Sequence, residues 1–248
     1  MKIIISPAKK MKVDTDSFDI ASQPQFLPET QEILHTLKEM SYPELHDLWH
    51  CSDKIAQQAY QQLQHIDLKR QLTPALIAYS GIQYQYMAPD VFTGHALQYV
   101  QDHLRILSGF YGVLRPFDGV VPYRLEMQAP LTVDGHKNLY DFWGAKPELG
   151  LELHDEPLIN LASQEYTKTV RRYLKTDEPL INIIFGHLVN GQLKTRATFA
   201  KMARGEMVRF LAENEVHELS DLKQFDHLNY HFDASRSDET TFVFLKKD

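Results

Sequence analysis

Short apolar runs alternate with amphipathic stretches along all 248 residues, and this alternation limits the fold more than any other feature. Runs at residues 3–5, 74–79, 120–127, 158–161, 180–185 and 240–245 are apolar or β-branched enough to read as strands. Between them, residues 29–40, 44–64, 96–107, 163–174 and 195–212 carry apolar side chains at helical spacing. Pro43 stands near a helix start and Ser163 at an N-cap. Such alternation predicts a mixed α/β (α+β) fold with a mixed sheet and flanking helices, and it gives no strand order. The stretch 14–28 is polar and proline-spaced, which suits a loop. No Gly/Ser-rich or Pro-rich linker cuts the chain, so residues 1–248 are expected to form a single domain.

Composition narrows the function classes. With 43% hydrophobic and 24% charged residues, the chain is neither disordered, collagenous nor coiled-coil. The net charge of −7 excludes a protein that is basic all over. A nucleic-acid binder of this composition must concentrate its cations on one face. Cys51 is the single cysteine, which precludes a disulfide within the chain and suits a reducing, cytoplasmic location. The first apolar run is too short for a signal peptide, and no run approaches the roughly 20 apolar residues of a membrane span.

Five segments could carry chemistry. Ser6-Pro7-Ala8-Lys9-Lys10 places two lysines where a strand ends, a common position for ligand crevices and equally for a solvated turn. In His103–Pro116, Arg105 and Arg115 flank Ser108-Gly109-Phe110-Tyr111-Gly112, a turn able to bring backbone amides to a phosphate, or simply a close-packed helix end. In Pro122–Met127, a strand would put Arg124 and Glu126 on one face, as an ion pair or as the wall of a cleft. Lys137-Asn138 leads into Tyr140, Phe142 and Trp143, with Lys146 beyond, and Asn160 leads into Ser163, Glu165 and Tyr166. Asn side chains suit a base edge or a loop backbone, while the aromatic rings are commonly core. After Lys194, the helix at 195–212 sets Lys201 and Arg204 opposite an apolar face. Its Gly205 costs about 1 kcal/mol relative to Ala unless another backbone or a phosphate comes close.

The histidines form two i,i+4 pairs, His46 with His50 and His227 with His231, but a metal site needs three or four convergent ligands. No Walker loop, dinucleotide fingerprint, nucleophile elbow or CxxC motif is present. The expectation is therefore no functional metal and no cofactor.

Taken jointly and in order, Ile5–Lys9, His103–Pro116 with Pro122–Met127, Asn138–Trp143, Asn160–Tyr166 and Ala203-Arg204-Gly205 with Met207 resemble the YaaA family of bacterial peroxide-stress proteins. The resemblance spans essentially the whole chain. It implies a compact α/β domain with a positively charged cleft, a helix-hairpin-helix-like element and binding of DNA, including distorted duplexes. It also implies a role in limiting oxidative damage by lowering free intracellular iron. Ser108–Gly112 is the candidate hairpin. One departure stands out: Ser80-Gly81-Ile82-Gln83-Tyr84 replaces the family's Gly-Asp-Val-Tyr-like turn, so its carboxylate is absent here.

The reading is a monomeric DNA-binding protein of low sequence specificity, acting in the cytoplasm against peroxide stress. Lys9, Lys10, Arg105, Ser108, Gly109, Tyr111, Gly112, Arg115, Arg124, Lys137, Asn138, Lys146, Asn160, Lys194, Lys201 and Arg204 would form its nucleic-acid site. The alternative is an enzyme acting on a nucleotide or nucleic acid, with Glu126 or Glu165 as general base.

Overall fold

A computed structural model describes residues 1–175 and 179–247. Its centre is an eight-stranded sheet: β1 (Lys2–Ile5), β2 (Leu104–Ser108), β3 (Gly112–Leu114), β4 (Leu158–Leu161), β5 (Leu180–Val189), β6 (Gln192–Lys194), β7 (Tyr230–Phe232) and β8 (Thr241–Lys246). The strand order is β7-β8-β5-β4-β1-β2-β3, with β6 paired off this path to β5. Five neighbours, β8-β5-β4-β1-β2, run parallel. The mixed α/β expectation holds. Parallel strands are covered on both faces and read as continuous apolar runs. Accordingly Ile3, Ile4 and Ile5 are all fully buried, with Ile3 in register between Leu104 and Ile159.

The helices used below are α1 (Leu27–Glu39), α2 (Tyr42–Trp49), α3 (Asp53–Gln64), α4 (Ile82–Met87), α5 (Gly94–His103), α6 (Leu139–Trp143), α7 (Gln164–Arg171) and α8 (Ala197–Glu213). Helix α5 packs on β1 and β2, while α8 packs on β5, α4 and α5.

Several expectations are corrected. The single helix expected at 44–64 is two helices, because His50 turns left-handed at φ 42° and Ser52 starts a new one. The helix expected at 96–107 stops at His103, and Leu104, Ile106 and Leu107 belong to the buried strand β2. A short apolar run in the core satisfies either period, so sequence spacing alone misassigned it. The strand expected at 74–79 is a helical turn, Ala75–Ala78, between two-residue strands. Of the strand expected at 120–127, the structure pairs only Gly119–Val120.

The largest correction concerns Ser108–Gly112. It joins the antiparallel strands β2 and β3, with Ser108 opposite Gly112, and so is a strand hairpin, not a turn between helices. Its residues are buried. The amides of Phe110 and Tyr111 donate to Ser108 Oγ at 3.2 and 3.0 Å, so they are not offered to a phosphate. Gly112 takes φ +74°, and a Cβ there would sit 2.9 Å from the Trp143 ring. The glycine spacing thus serves packing.

Candidate functional site

Strand order decides where a ligand can enter. From β1 the chain crosses to β2 on one side of it, then returns to β4 on the other. The carboxyl ends of β1 and β4 therefore flank a topological switch point, where helices diverge and leave a crevice. A cleft of about 600 Å³ opens there. The end of β1 supplies Ser6–Lys10, and the turn after β4 supplies Ser163 and Glu165. The other walls are Ser80–Gln85 at the start of α4, the extended segment Tyr123–Glu126, and Lys201 with Arg204 from α8.

Hydrogen bonds tie these walls together. Ser163 N–H donates to Ser6 Oγ at 2.8 Å, and Ser6 Oγ donates to Ser163 Oγ at 3.2 Å. Tyr84 donates to the Ser6 carbonyl at 3.0 Å. Beneath the cleft, Tyr123 OH bridges Tyr79 OH at 2.8 Å and Ser108 Oγ at 2.6 Å. Burial pushes the Tyr123 phenol up to about 12 and raises Tyr79 and Tyr84 as well, so all three are neutral hydrogen-bonding groups near pH 7.

Five cations line the cleft against two carboxylates. Of the five, only Lys9 is ion-paired among the described residues, with Glu126 at 2.7 Å, so Glu126 joins the cleft wall and does not pair with Arg124. Among the described residues, Arg124 and Arg204 have no ion pair, and each leaves a buried Nε without a hydrogen-bond partner. Burial lowers the pKa of Arg204, the direction expected of a desolvated and uncompensated cation. Charges held away from water are normally paired, so a guanidinium Nε without a partner on each of two arginines in one crevice is unusual. Glu165 is raised above the ordinary carboxylate value, first by burial and further by Glu126, while the Gln128 N–H at 3.2 Å and Lys9 oppose the shift.

The structure thus brings together Lys9, Lys10, Arg124, Lys201 and Arg204. The remaining expected residues lie elsewhere or beneath. Arg105 is buried and pairs with Glu152 at 3.1 Å, and Arg115 pairs with the same carboxylate, at the end of β2 away from the cleft. Ser108 supports Tyr123. Gly109 packs on the Glu126 backbone, and its carbonyl accepts from Trp143 Nε1 at 2.9 Å. Tyr111 OH accepts from Val121 N–H at 3.1 Å. Asn138 caps α6 by accepting from Asp141 N–H at 3.0 Å. Lys137 is exposed next to that cap, and Lys146 pairs with Glu29 at 3.3 Å. Asn160 Oδ1 accepts from Ala162 N–H and Thr167 Oγ, which fixes the turn that presents Ser163. Lys194 is exposed on β6. Among the described residues no three His, Cys, Asp or Glu side chains gather as metal ligands, and His227 instead contacts Glu206 at 3.1 Å. No helix among them is long and apolar enough to cross a membrane.

Gln83 was missed from sequence. It is 7% exposed, lines the cleft, and among the described residues its Nε2 has no partner. Its only sequence signal is its place in the turn that departs from the family pattern.

The family model described as peroxide stress protein YaaA matches residues 1–236. A UPF0246 protein of Lactiplantibacillus plantarum is 57% identical over 245 residues, covering 99% of both chains. Others from Pediococcus pentosaceus and Agathobacter rectalis are 56% and 48% identical, each covering 100% of this chain and 99% of its own. Matches of this extent show that the chain belongs to the peroxide stress protein YaaA family, which supports a role in the peroxide stress response.

Proposed function

We propose that the protein serves the peroxide stress response by binding the phosphate backbone of DNA at the switch-point cleft, as a monomer in the cytoplasm. The observation that carries this reading is that, among the described residues, Arg124 and Arg204 have no ion pair and a buried Nε without a partner, beside Lys10 and Lys201, which have no ion pair either. Phosphate contacts of this kind position a nucleic acid without reading its sequence, so shape dominates selection. The acidic remainder of the chain repels DNA outside the cleft and limits non-specific coating. The accompanying role in limiting free iron rests on the family alone. Fluorescence anisotropy with duplex, bubbled and single-stranded DNA across a salt series tests the binding. Measurable affinity that falls steeply with salt is expected, and no binding at low salt overturns it.

Glu165 favours a second reading, an enzyme acting on a nucleotide or nucleic acid. A carboxyl raised by burial inside a ligand cleft is suited to general acid–base work. Nucleotide turnover that disappears in Glu165→Gln would support it.

A further inference from the structure

A cleft of about 600 Å³ lies in the size range of small-ligand pockets. A base pair still stacked in a duplex cannot enter it, whereas a nucleotide turned out of the stack can. The floor of the cleft is built for more than phosphate. Gln83 is nine-tenths buried, and among the described residues its amide nitrogen has no hydrogen-bond partner. An unsatisfied buried amide costs on the order of 1–3 kcal/mol, so its retention beside the proposed phosphate site points to a ligand that satisfies it.

The packing of two helices fixes its position. Gln83 sits in the first turn of α4, and its carbonyl lies so close to α8 that a Cβ on Gly205 would come within 2.1 Å of it. This backbone contact sets Gln83 beside Arg204, the neighbour of Gly205 along α8. An amide offers a donor and an acceptor side by side, which is the complement of a base edge. Tyr84 and Tyr166 line the same cleft but are buried, and Tyr123 is half-buried and stacked on Phe110, so recognition of a base falls to the Gln83 amide.

From this juxtaposition we infer that the cleft takes one unstacked nucleotide unit, with Gln83 reading the base edge and Arg204 and Lys201 holding its phosphate. The inference rests on the cleft being the phosphate site proposed above. It predicts that the base, not only the phosphate, contributes to binding.

Calorimetric titration of the full chain with dAMP and with deoxyribose 5-phosphate tests it. Adenine presents the donor–acceptor edge that an amide pairs with, so dAMP should bind about tenfold more tightly. Gln83→Met should bring that ratio to near one, and Lys201→Ala should weaken both ligands alike. Gln83→Met removes an unsatisfied polar group, so its melting temperature should not fall. A ratio near one in the unaltered protein overturns the inference without recourse to any variant, as does a ratio that survives Gln83→Met. The DNA anisotropy series fails separately. DNA binding with no dAMP preference removes the base pocket and keeps the backbone reading. A dAMP preference without DNA binding keeps the pocket and removes DNA as its ligand.

Discussion

At Gly205 one absent methyl group decides how two helices meet. A Cβ there would stand 2.1 Å from Gln83 O and 2.9 Å from Met87 N, both backbone atoms that cannot rotate aside. Replacing Gly by Ala in a helix interior favours the helix by about 1 kcal/mol. Here the clash outweighs that preference, because α4 must move as a unit. Gly205→Ala should lower unfolding free energy by about 2 kcal/mol in denaturant titration, and it should also disturb the cleft. Glu165 gives a second test at this scale. Its folded pKa is raised, so the folded state holds the proton more tightly than the unfolded chain does. It therefore favours folding at pH below the ordinary carboxylate value, and this contribution is lost as pH rises through the folded pKa. Glu165→Gln should melt at a higher temperature than the unaltered protein at pH 7, with the difference closing toward pH 4.

Elements are held by charges that the cleft does not use. Arg105 is 3% exposed and depends on Glu152, which it shares with Arg115. Burial pushes the Glu152 carboxyl upward, but the two guanidiniums outweigh it and hold the pKa below the ordinary value. Glu152→Gln leaves Arg105 buried without its ion-pair partner, with the more distant Asp118 as counter-charge. The expected destabilisation is about 2 kcal/mol, below the full cost of breaking a buried pair because Glu152 is partly solvated. The sign of the pH dependence follows: the ion pairs stabilise above the unfolded carboxylate pKa, and that stability is lost as pH falls through the folded value. Thermal melts of the two proteins should therefore converge at acid pH. These two arginines looked like phosphate ligands in the sequence because the chain brackets a Gly-containing turn with them. In the fold they anchor β2 and β3.

Across the whole molecule, the net charge of −7 coexists with a cleft whose lining has five cations and two carboxylates. Four of those cations have no ion-pair partner among the described residues, and full phosphate neutralisation by them gives a log–log salt slope of about −3 to −4. Charge reversal at Lys201, which is exposed, should weaken DNA binding in anisotropy and flatten that slope by about 0.9 for each phosphate no longer neutralised, with no change in melting temperature. An unchanged slope would remove α8 from the site.

Local pattern was enough for much of the architecture. A continuous apolar run marked β1, a strand buried on both faces, and apolar-rich runs marked β4, which carries Asn160, and β5 and β8, which are partly solvated. The same reading found Ser163 at the start of α7 and a close backbone approach at Gly205. It failed at residues 104–107 and 74–79, where strand and helix bury the same side chains. The cleft itself was only partly legible. Lysines at a strand end and a basic helix face are visible in one dimension, and they did converge. Which arginines find carboxylates and which are left without one depends on long-range packing between residues far apart in the chain. So the sequence by itself determined where β1, β4, β5 and β8 and most of the helices lie, and which segments carry charge. Only the tertiary structure decided that Arg105 and Arg115 neutralise Glu152 while Arg124, Arg204 and Gln83 face an open crevice, because burial and partnership are properties of the packed chain.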